Sequence, residues 1–279
     1  MYGCLNCRRS YPSSGLPYSC PVCGGIYDDQ ALWAFDPLAL DATQPGIWRY
    51  RHTFGLPPEQ EPVSLGEGRT PLVLTRLKGR KVYFKCEYHN PTGSFKDRGS
   101  ALLIAWAKAR SATEIIEDSS GNAGASLAAY AGRAGMRVRI YVPSSASGPK
   151  LRQIEMYGAE LCVVDGPRSA VAEAARRVAQ EGAVYVSHAY LPFNLRGYAT
   201  IAYEIWEQLG GRLPGAILVP AGQGGLLLGL ARGFQALQHV AYPSLDRSLP
   251  SPWPRFHFSL QRRRHDIPSF PRLIGVQAR

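Results

Sequence analysis

The sequence predicts an α/β protein with open, mostly parallel sheets and helices on both faces. Three observations predict it. Short apolar runs alternate with amphipathic runs of helical length between residues 81 and 237. Glycine closes several helical runs, at Gly135, Gly158 and Gly182. No internal repeat at solenoid or propeller spacing is present, so the alternation belongs to a layered fold.

The elements follow in order. Residues 1–30 form a small module with two C-x2-C pairs. Residues 31–70 are Pro-rich and aromatic, an ordered connecting arm leading into "SLGEGRTPLV". "KVYFKCEY" (81–88) is expected as a strand and "KDRGSALLIAWAKAR" (96–110) as a helix. "TEIIEDSS" (113–120) predicts a strand entering a loop, and "GASLAAYAGRAG" (124–135) a small-residue helix. Strand 137–143, helix 150–158, strand 159–166, helix 168–182 and strand 183–188 continue the alternation. Helix 197–210, strand 215–222 and helix 225–237 close it. Residues 241–271, rich in proline and arginine, carry neither period, and "RLIGVQAR" begins another strand.

Cys4, Cys7, Cys20 and Cys23 form C-x2-C, a 12-residue gap and C-x2-C. Each pair can supply two thiolates to one tetrahedral ion, so a closed structural zinc site is the expected reading. Two disulfides or an iron site are the alternatives, and a cytosolic chain disfavours disulfides. With so little core, the module is expected to depend on its metal for folding.

Three stretches carry candidate chemistry. "SSGNAGAS" (119–126) offers small residues, the amide Asn122 and a helix N-terminus, which together favour an anion. A plain tight turn is the bland alternative. "VPAGQGGLLLG" (219–229) ends a strand and opens a helix with Gly222, Gly224 and Gly225, a phosphate cradle. It lacks the third glycine of a dinucleotide fingerprint, where Leu227 stands, and the Gly-Lys-Ser/Thr of a triphosphate loop. Lys96 opens a helix directly after a Pro-Thr-Gly-Ser turn. The helix dipole and partial desolvation both push it toward the neutral amine, a nucleophile for aldehydes and a base for Cα–H bonds. A lysine, an amide loop and a phosphate loop together suit a phosphorylated aldehyde cofactor, pyridoxal phosphate.

With these motifs the chain resembles the fold-type II pyridoxal-phosphate enzymes, the tryptophan synthase β-like group, and within it most closely the threonine synthases. The matching stretches are "EGRTPL" (67–72), "EYHNPTGSFKDRG" (87–99), "EDSSGNAGASLAAYAGRAG" (117–135), "GPKLRQIEMYGAEL" (148–161), "VPAGQGGLLLG" (219–229) and "PRLIGVQA" (271–278). An N-terminal zinc ribbon also occurs in some threonine synthase-like proteins.

The resemblance implies two sheets in two lobes with the cofactor between them: residues 1–30 as the ribbon, 31–94 with 188–279 as the large lobe, and 95–187 as a small mobile lobe. It implies Lys96 as the residue that holds the cofactor as a Schiff base and shuttles protons. Asn122 would hydrogen-bond the 3-hydroxyl oxygen. Gly222, Gln223, Gly224, Gly225 and Leu226 would bind the phosphate through backbone N–H groups. Ser119, Ser120, Gly121 and Ala123 would receive a substrate carboxylate. The implied reaction converts O-phosphohomoserine and water to threonine and phosphate. Asp97 and Arg98 are expected to be structural, fixing the helix start and the lysine's direction.

The chain departs from the threonine synthase pattern at "LPFNLRGYAT" (191–200). There Gly197 and Thr200 remain of the Glu-Gly-Gln-Lys-Thr block and Arg196 replaces its acid. A serine/threonine dehydratase or another β-replacement enzyme is therefore the alternative. Family members continue past "GVQA" with further strands and a Ser or Thr at the pyridine nitrogen, so weaker cofactor binding is expected here. An inactive homologue serving as a zinc-ribbon binding module is the alternative of another class.

Hydrophobic residues make up 45% and charged residues 19%, which excludes global disorder. No apolar run reaches membrane-spanning length, and the N-terminus shows no apolar leader region, so the cytoplasm is the expected compartment. The formal charge of +11 is scattered apart from "RRRHD" (262–266), so a small amino-acid substrate is expected and a nucleic acid is not. A homodimer is a family habit that the residues themselves do not reveal.

Overall fold

The structure, a computed structural model, describes residues 2–241 and 270–277. The predicted irregular stretch 241–271 lies almost wholly outside the described residues. Strands β1 (Tyr2–Cys4) and β2 (Tyr27–Asp29) pair antiparallel, with Cys4 opposite Tyr27. The connecting arm contains 3-10 turns at Pro37–Ala39 and Gly46–Thr53 and buries Trp48, Tyr50 and Phe54 against the main core.

One expectation is corrected here. Residues 81–88 do not join the parallel alternation. Strands β3 (Leu72–Leu77) and β4 (Arg80–Lys85) form a separate antiparallel hairpin. The chain leaves the strand at Cys86 and turns through Glu87–His89. Lys78 and Gly79 both have positive φ, 48° and 76°, as the tight turn of a hairpin with right-handed twist requires.

The chain then follows the predicted order: α1 (Lys96–Ala109), β5 (Glu114–Glu117), α2 (Asn122–Arg133), β6 (Arg137–Pro143), α3 (Pro149–Met156), β7 (Glu160–Val164), α4 (Arg168–Gln180) and β8 (Val184–Tyr185). The four strands make a parallel sheet in the order β7–β6–β5–β8. Alternate residues take opposite faces, as the two-residue period of a strand dictates. Ile115, Val138, Ile140 and Val142 join the core that contains α1 and α2. Ile116, Tyr141 and Tyr185 pack on Val171 and Ala175 of α4. The chain continues into α5 (Asn194–Gln208), β9 (Ala216–Pro220) and α6 (Gly225–Ala241), and β10 (Arg272–Val276) pairs parallel with β9 in a second sheet. Helix α5 starts three residues before the predicted Gly197. Among the described residues no helix is long and apolar enough to cross a membrane.

Helices α1 and α5 touch backbone to backbone. A Cβ on Gly197 would stand 2.0 Å from the carbonyl oxygen of Arg98, so only glycine permits this approach. Beside it lies Arg98, a fully buried guanidinium. Its Nε and Nη2 donate to Glu87 at 2.7 and 2.8 Å, and its Nη1 and Nη2 donate to Glu204 at 2.7 and 2.8 Å. Nη1 also donates to Thr200 Oγ1 at 2.9 Å and Nη2 to Thr70 Oγ1 at 3.2 Å. Lys85 Nζ and the Arg69 N–H complete Glu204 at 2.5 and 2.8 Å. One side chain thus ties the segments on either side of the hairpin and helix α5 to the start of α1.

Removing the guanidinium while leaving the acids buried is the costly direction. Arg98→Met should lower the unfolding free energy by about 3–5 kcal/mol, read from urea denaturation, and Arg98→Lys should recover only part of it because it cannot make the forked contacts. Burial alone would raise the Glu204 carboxyl, but Arg98 and Lys85 pull it from 4.5 down to about 2. A carboxylate depressed in the folded state stabilises fully above its unfolded value. This contribution should therefore disappear as pH falls from about 4.5 toward 2, and Glu204→Gln should flatten that limb of the stability curve.

Candidate active site

The lysine turn is built from its own sequence. The Gly93 N–H donates to the Asn90 carbonyl at 2.8 Å, closing a turn with Pro91 in its second position. The Asp97 carboxylate reaches back over this turn and accepts from the Thr92 N–H at 2.7 Å and the Thr92 hydroxyl at 2.5 Å. Ser94 Oγ accepts from the Lys96 N–H at 3.3 Å. Asp97 thereby fixes where α1 starts and Arg98 anchors its first turn, as expected for both. Lys96 itself is the first residue of α1.

Lys96 stands in the wall between two cavities. The larger, about 760 Å³, is lined by Phe95, Lys96, Tyr198 and every residue from Gly222 to Leu226. The second, about 630 Å³, is lined by Lys96, Ser119, Asn122, Ala123 and Gln223 among others. Lys96 Nζ lies 5.2 Å from the Phe95 ring centre and 5.8 Å from that of Tyr198. Burial pushes the ammonium toward its neutral form, and the nearby Glu117 carboxyl opposes that shift.

The glycine loop leaves the carboxyl end of β9 and opens α6. Among the described residues the backbone N–H groups from Gly222 to Leu226 have no hydrogen-bond partner. A Cβ on Gly222 or Gly224 would meet no atom within 4 Å, so both face open space. Consecutive unpaired N–H groups at a helix N-terminus form an anion cradle. The second loop leaves the carboxyl end of β5 and opens α2, with Asn122 exposed in the first turn. The Ser120, Asn122 and Ala123 N–H groups also lack partners among the described residues, while that of Gly121 is held by Ser119 Oγ at 3.3 Å. The loop folds tightly because a Cβ on Gly124 would strike the Ser119 carbonyl oxygen at 1.9 Å. Ser119, Asn122 and Ala123 line the second cavity, whereas Ser120 and Gly121 line neither.

Several site residues escaped the sequence reading. Glu117 and His188 are both buried beneath Lys96 and line the second cavity. Glu117 Oε2 stands 3.6 Å from His188 Nδ1, and neither atom has another partner among the described residues. His188 Nε2 lies 3.0 Å from Ser100 Oγ, which lies 2.7 Å from Ser126 Oγ, itself 2.6 Å from Asp97 Oδ1. Burial, reinforced by Asp118, drives the Glu117 carboxyl well above the ordinary range, and burial beside Lys96 drives His188 well below its own. Asp118 accepts from Tyr185 at 2.6 Å and from Arg168 at 2.7 Å. Among the described residues lining the two cavities, Lys96 and Arg168 supply the side-chain cations. Two successive acids ending a parallel strand were a signal for Glu117 and Asp118. Nothing local marks His188.

The N-terminal cysteines form the remaining cluster. Their four sulfurs lie within 4.8 Å of one another, with Cys4–Cys23 at 3.5 Å and Cys7–Cys20 at 3.7 Å. Sulfurs around one tetrahedral ion at Zn–S distance stand about 3.8 Å apart, so the set fits a four-thiolate metal site. Backbone N–H groups of Val22 and Cys23 pull the Cys20 thiol down to about 6.

The family model described as pyridoxal-phosphate dependent enzyme matches residues 63–248. The chain belongs to the pyridoxal-phosphate-dependent enzyme family. It is 34% identical to the threonine synthase of Methanocaldococcus jannaschii over 247 residues, covering 84% of this chain and 60% of that protein. It is 32% identical to the threonine synthase of Methanosarcina acetivorans over 242 residues, covering 83% of this chain and 59% of that protein. The chain therefore spans about three fifths of the length of these curated relatives. Among solved structures it is similar to a pyridoxal 5'-phosphate-dependent aspartate racemase, with TM-score 0.57, 27% identity and coverage of 75% of this chain and 74% of that one. It is likewise similar to maize serine racemase, with TM-score 0.55, 28% identity and coverage of 62% and 53%. The fold and the family agree with the two-sheet α/β architecture expected from the sequence.

A buried carboxyl that keeps its proton favours the folded state below its unfolded value and loses that contribution as pH rises toward its raised folded value. Glu117→Gln should therefore raise the urea midpoint at neutral and mildly alkaline pH and flatten its decline there. An unchanged pH profile would mean that Glu117 does not hold this proton.

Proposed function

We propose that the chain is a pyridoxal-phosphate-dependent carbon–oxygen lyase of the threonine synthase kind, converting O-phosphohomoserine and water to threonine and phosphate. The observation that carries the reading is the meeting of Lys96, the glycine loop and the asparagine loop around two adjoining cavities. The likeness to threonine synthases over most of the chain supports the substrate. The cofactor, when bound, supplies an aldehyde for the lysine and an electron sink for charge developing at Cα.

The chain's own residues divide the remaining work. Lys96, biased toward the neutral amine, serves as the covalent anchor and as the base at Cα. The N–H groups of Gly222, Gln223, Gly224, Gly225 and Leu226 hold the cofactor phosphate at the N-terminus of α6. Asn122 meets the ring hydroxyl. Ser119, Ser120, Gly121 and Ala123 are assigned to the substrate carboxylate at the N-terminus of α2, with Ser119 and Ala123 the two that line the second cavity. Residues 95–187 form a smaller lobe that closes on 31–94 with 188–279 and excludes water from Lys96. The four cysteines hold a structural zinc.

The departure from the threonine synthase pattern at Leu191–Thr200, where Arg196 replaces the acid, keeps a serine/threonine dehydratase or another β-replacement enzyme as the second reading. Incubation with pyridoxal phosphate should give a visible absorbance band that Lys96→Ala abolishes. The loaded protein should release phosphate from O-phosphohomoserine. Keto-acid formation from threonine without phosphate release would select the second reading, and no band at all would sink both.

A further inference from the structure

The cysteine module lies against the cleft. Leu5, Ile26, Tyr27 and Asp28 line the larger cavity together with Lys96 and Gly222–Leu226. Leu5 sits between Cys4 and Cys7, and Ile26 follows the Cys23–Gly24–Gly25 knuckle. Both apolar side chains remain nearly half exposed, at 44% and 46%, where they meet the cavity.

The module is clamped to the two helices that shape this cavity. Asp28 accepts from both terminal nitrogens of Arg232 on α6, at 2.7 and 2.5 Å. Asp29 accepts from Nε and Nη2 of Arg196 on α5, at 2.7 and 2.6 Å. Both guanidiniums lie over the Trp33 ring, Arg196 at 4.7 Å and Arg232 at 5.4 Å from its centre. Helix α6 opens with the unpaired N–H groups of the glycine loop. Arg196 stands two residues before Tyr198, whose ring faces Lys96 Nζ. Among the described residues the module's own apolar cluster is built on buried Cys4, Cys20 and Tyr27, too little to fix its knuckles alone.

We propose that the four-cysteine module is a working wall of the cleft: a metal on its sulfurs fixes Leu5, Ile26 and Asp28 in place, so metal loading sets access to Lys96 and the grip on the cofactor phosphate. This rests on Lys96 and the glycine loop being the cofactor site.

The test uses the full chain loaded with zinc, stripped by a chelator, and reloaded with zinc alone. Three quantities are read: modification of Lys96 by trinitrobenzenesulfonate, located by peptide mass; amide exchange across 194–208 and 225–241; and pyridoxal phosphate affinity. Stripping should speed modification and exchange and weaken cofactor binding about tenfold, the size of an ordinary coupling between sites. Reloading should reverse all three. Leu5→Ala with Ile26→Ala should speed Lys96 modification while metal content stays at one ion per chain. If stripping unfolds the whole chain, Asp28→Asn with metal retained decides instead, and it should reproduce the faster exchange in α6. Modification and exchange indifferent to metal, or to Asp28→Asn in that case, would overturn the proposal. If those two respond but pyridoxal phosphate binds neither form, the wall stands and the cofactor reading fails.

Discussion

Arg98 is a charge without water, and the rest of the site depends on how that charge is satisfied. All its nitrogens donate to Glu87, Glu204, Thr70 or Thr200. Those partners come from three separate parts of the chain. A buried guanidinium is tolerable only when every partner is in place, because each missing one leaves a desolvated charge. Helix α1 must therefore begin where it does, and Lys96, two residues earlier, has its position set by a network it does not touch. Gly197 permits the close helix contact that brings Glu204 within reach.

The candidate site is bordered by three helix N-termini. Lys96 opens α1, Asn122 opens α2 and Gly225 opens α6. Unpaired N–H groups at two of these ends favour anions, and burial at the third favours an uncharged amine. These preferences suit anions at the backbone donors beside an uncharged lysine. The Glu117–His188 pair lies buried beside the same lysine. Burial pushes its members in opposite directions, the carboxyl up and the imidazole down, which favours the uncharged form of each.

Much of this was legible along the chain. The strand–helix alternation survived because its periods are local, and the boundaries moved by only a few residues. The cysteine spacing and the lysine, asparagine and glycine motifs could be read because each needs particular residue types at fixed offsets. The hairpin at 72–85 was missed although Lys78–Gly79 marks its turn, because apolar and basic residues mix on the faces of its strands and leave no clean two-residue alternation. His188 was invisible, since a single histidine carries no spacing to recognise.

By itself the sequence determined which residue types stand at each strand and helix junction, and hence the α/β class, the four-sulfur module and the candidate cofactor residues. These follow from backbone periodicity and short-range geometry, which act over a few residues. Only the tertiary structure decided that Arg98 is buried among partners more than a hundred positions apart, that Glu117 meets His188, and that the cysteine module lines the cavity containing Lys96. Such pairings depend on which surfaces lose water together, a property of the packed chain that no local stretch encodes.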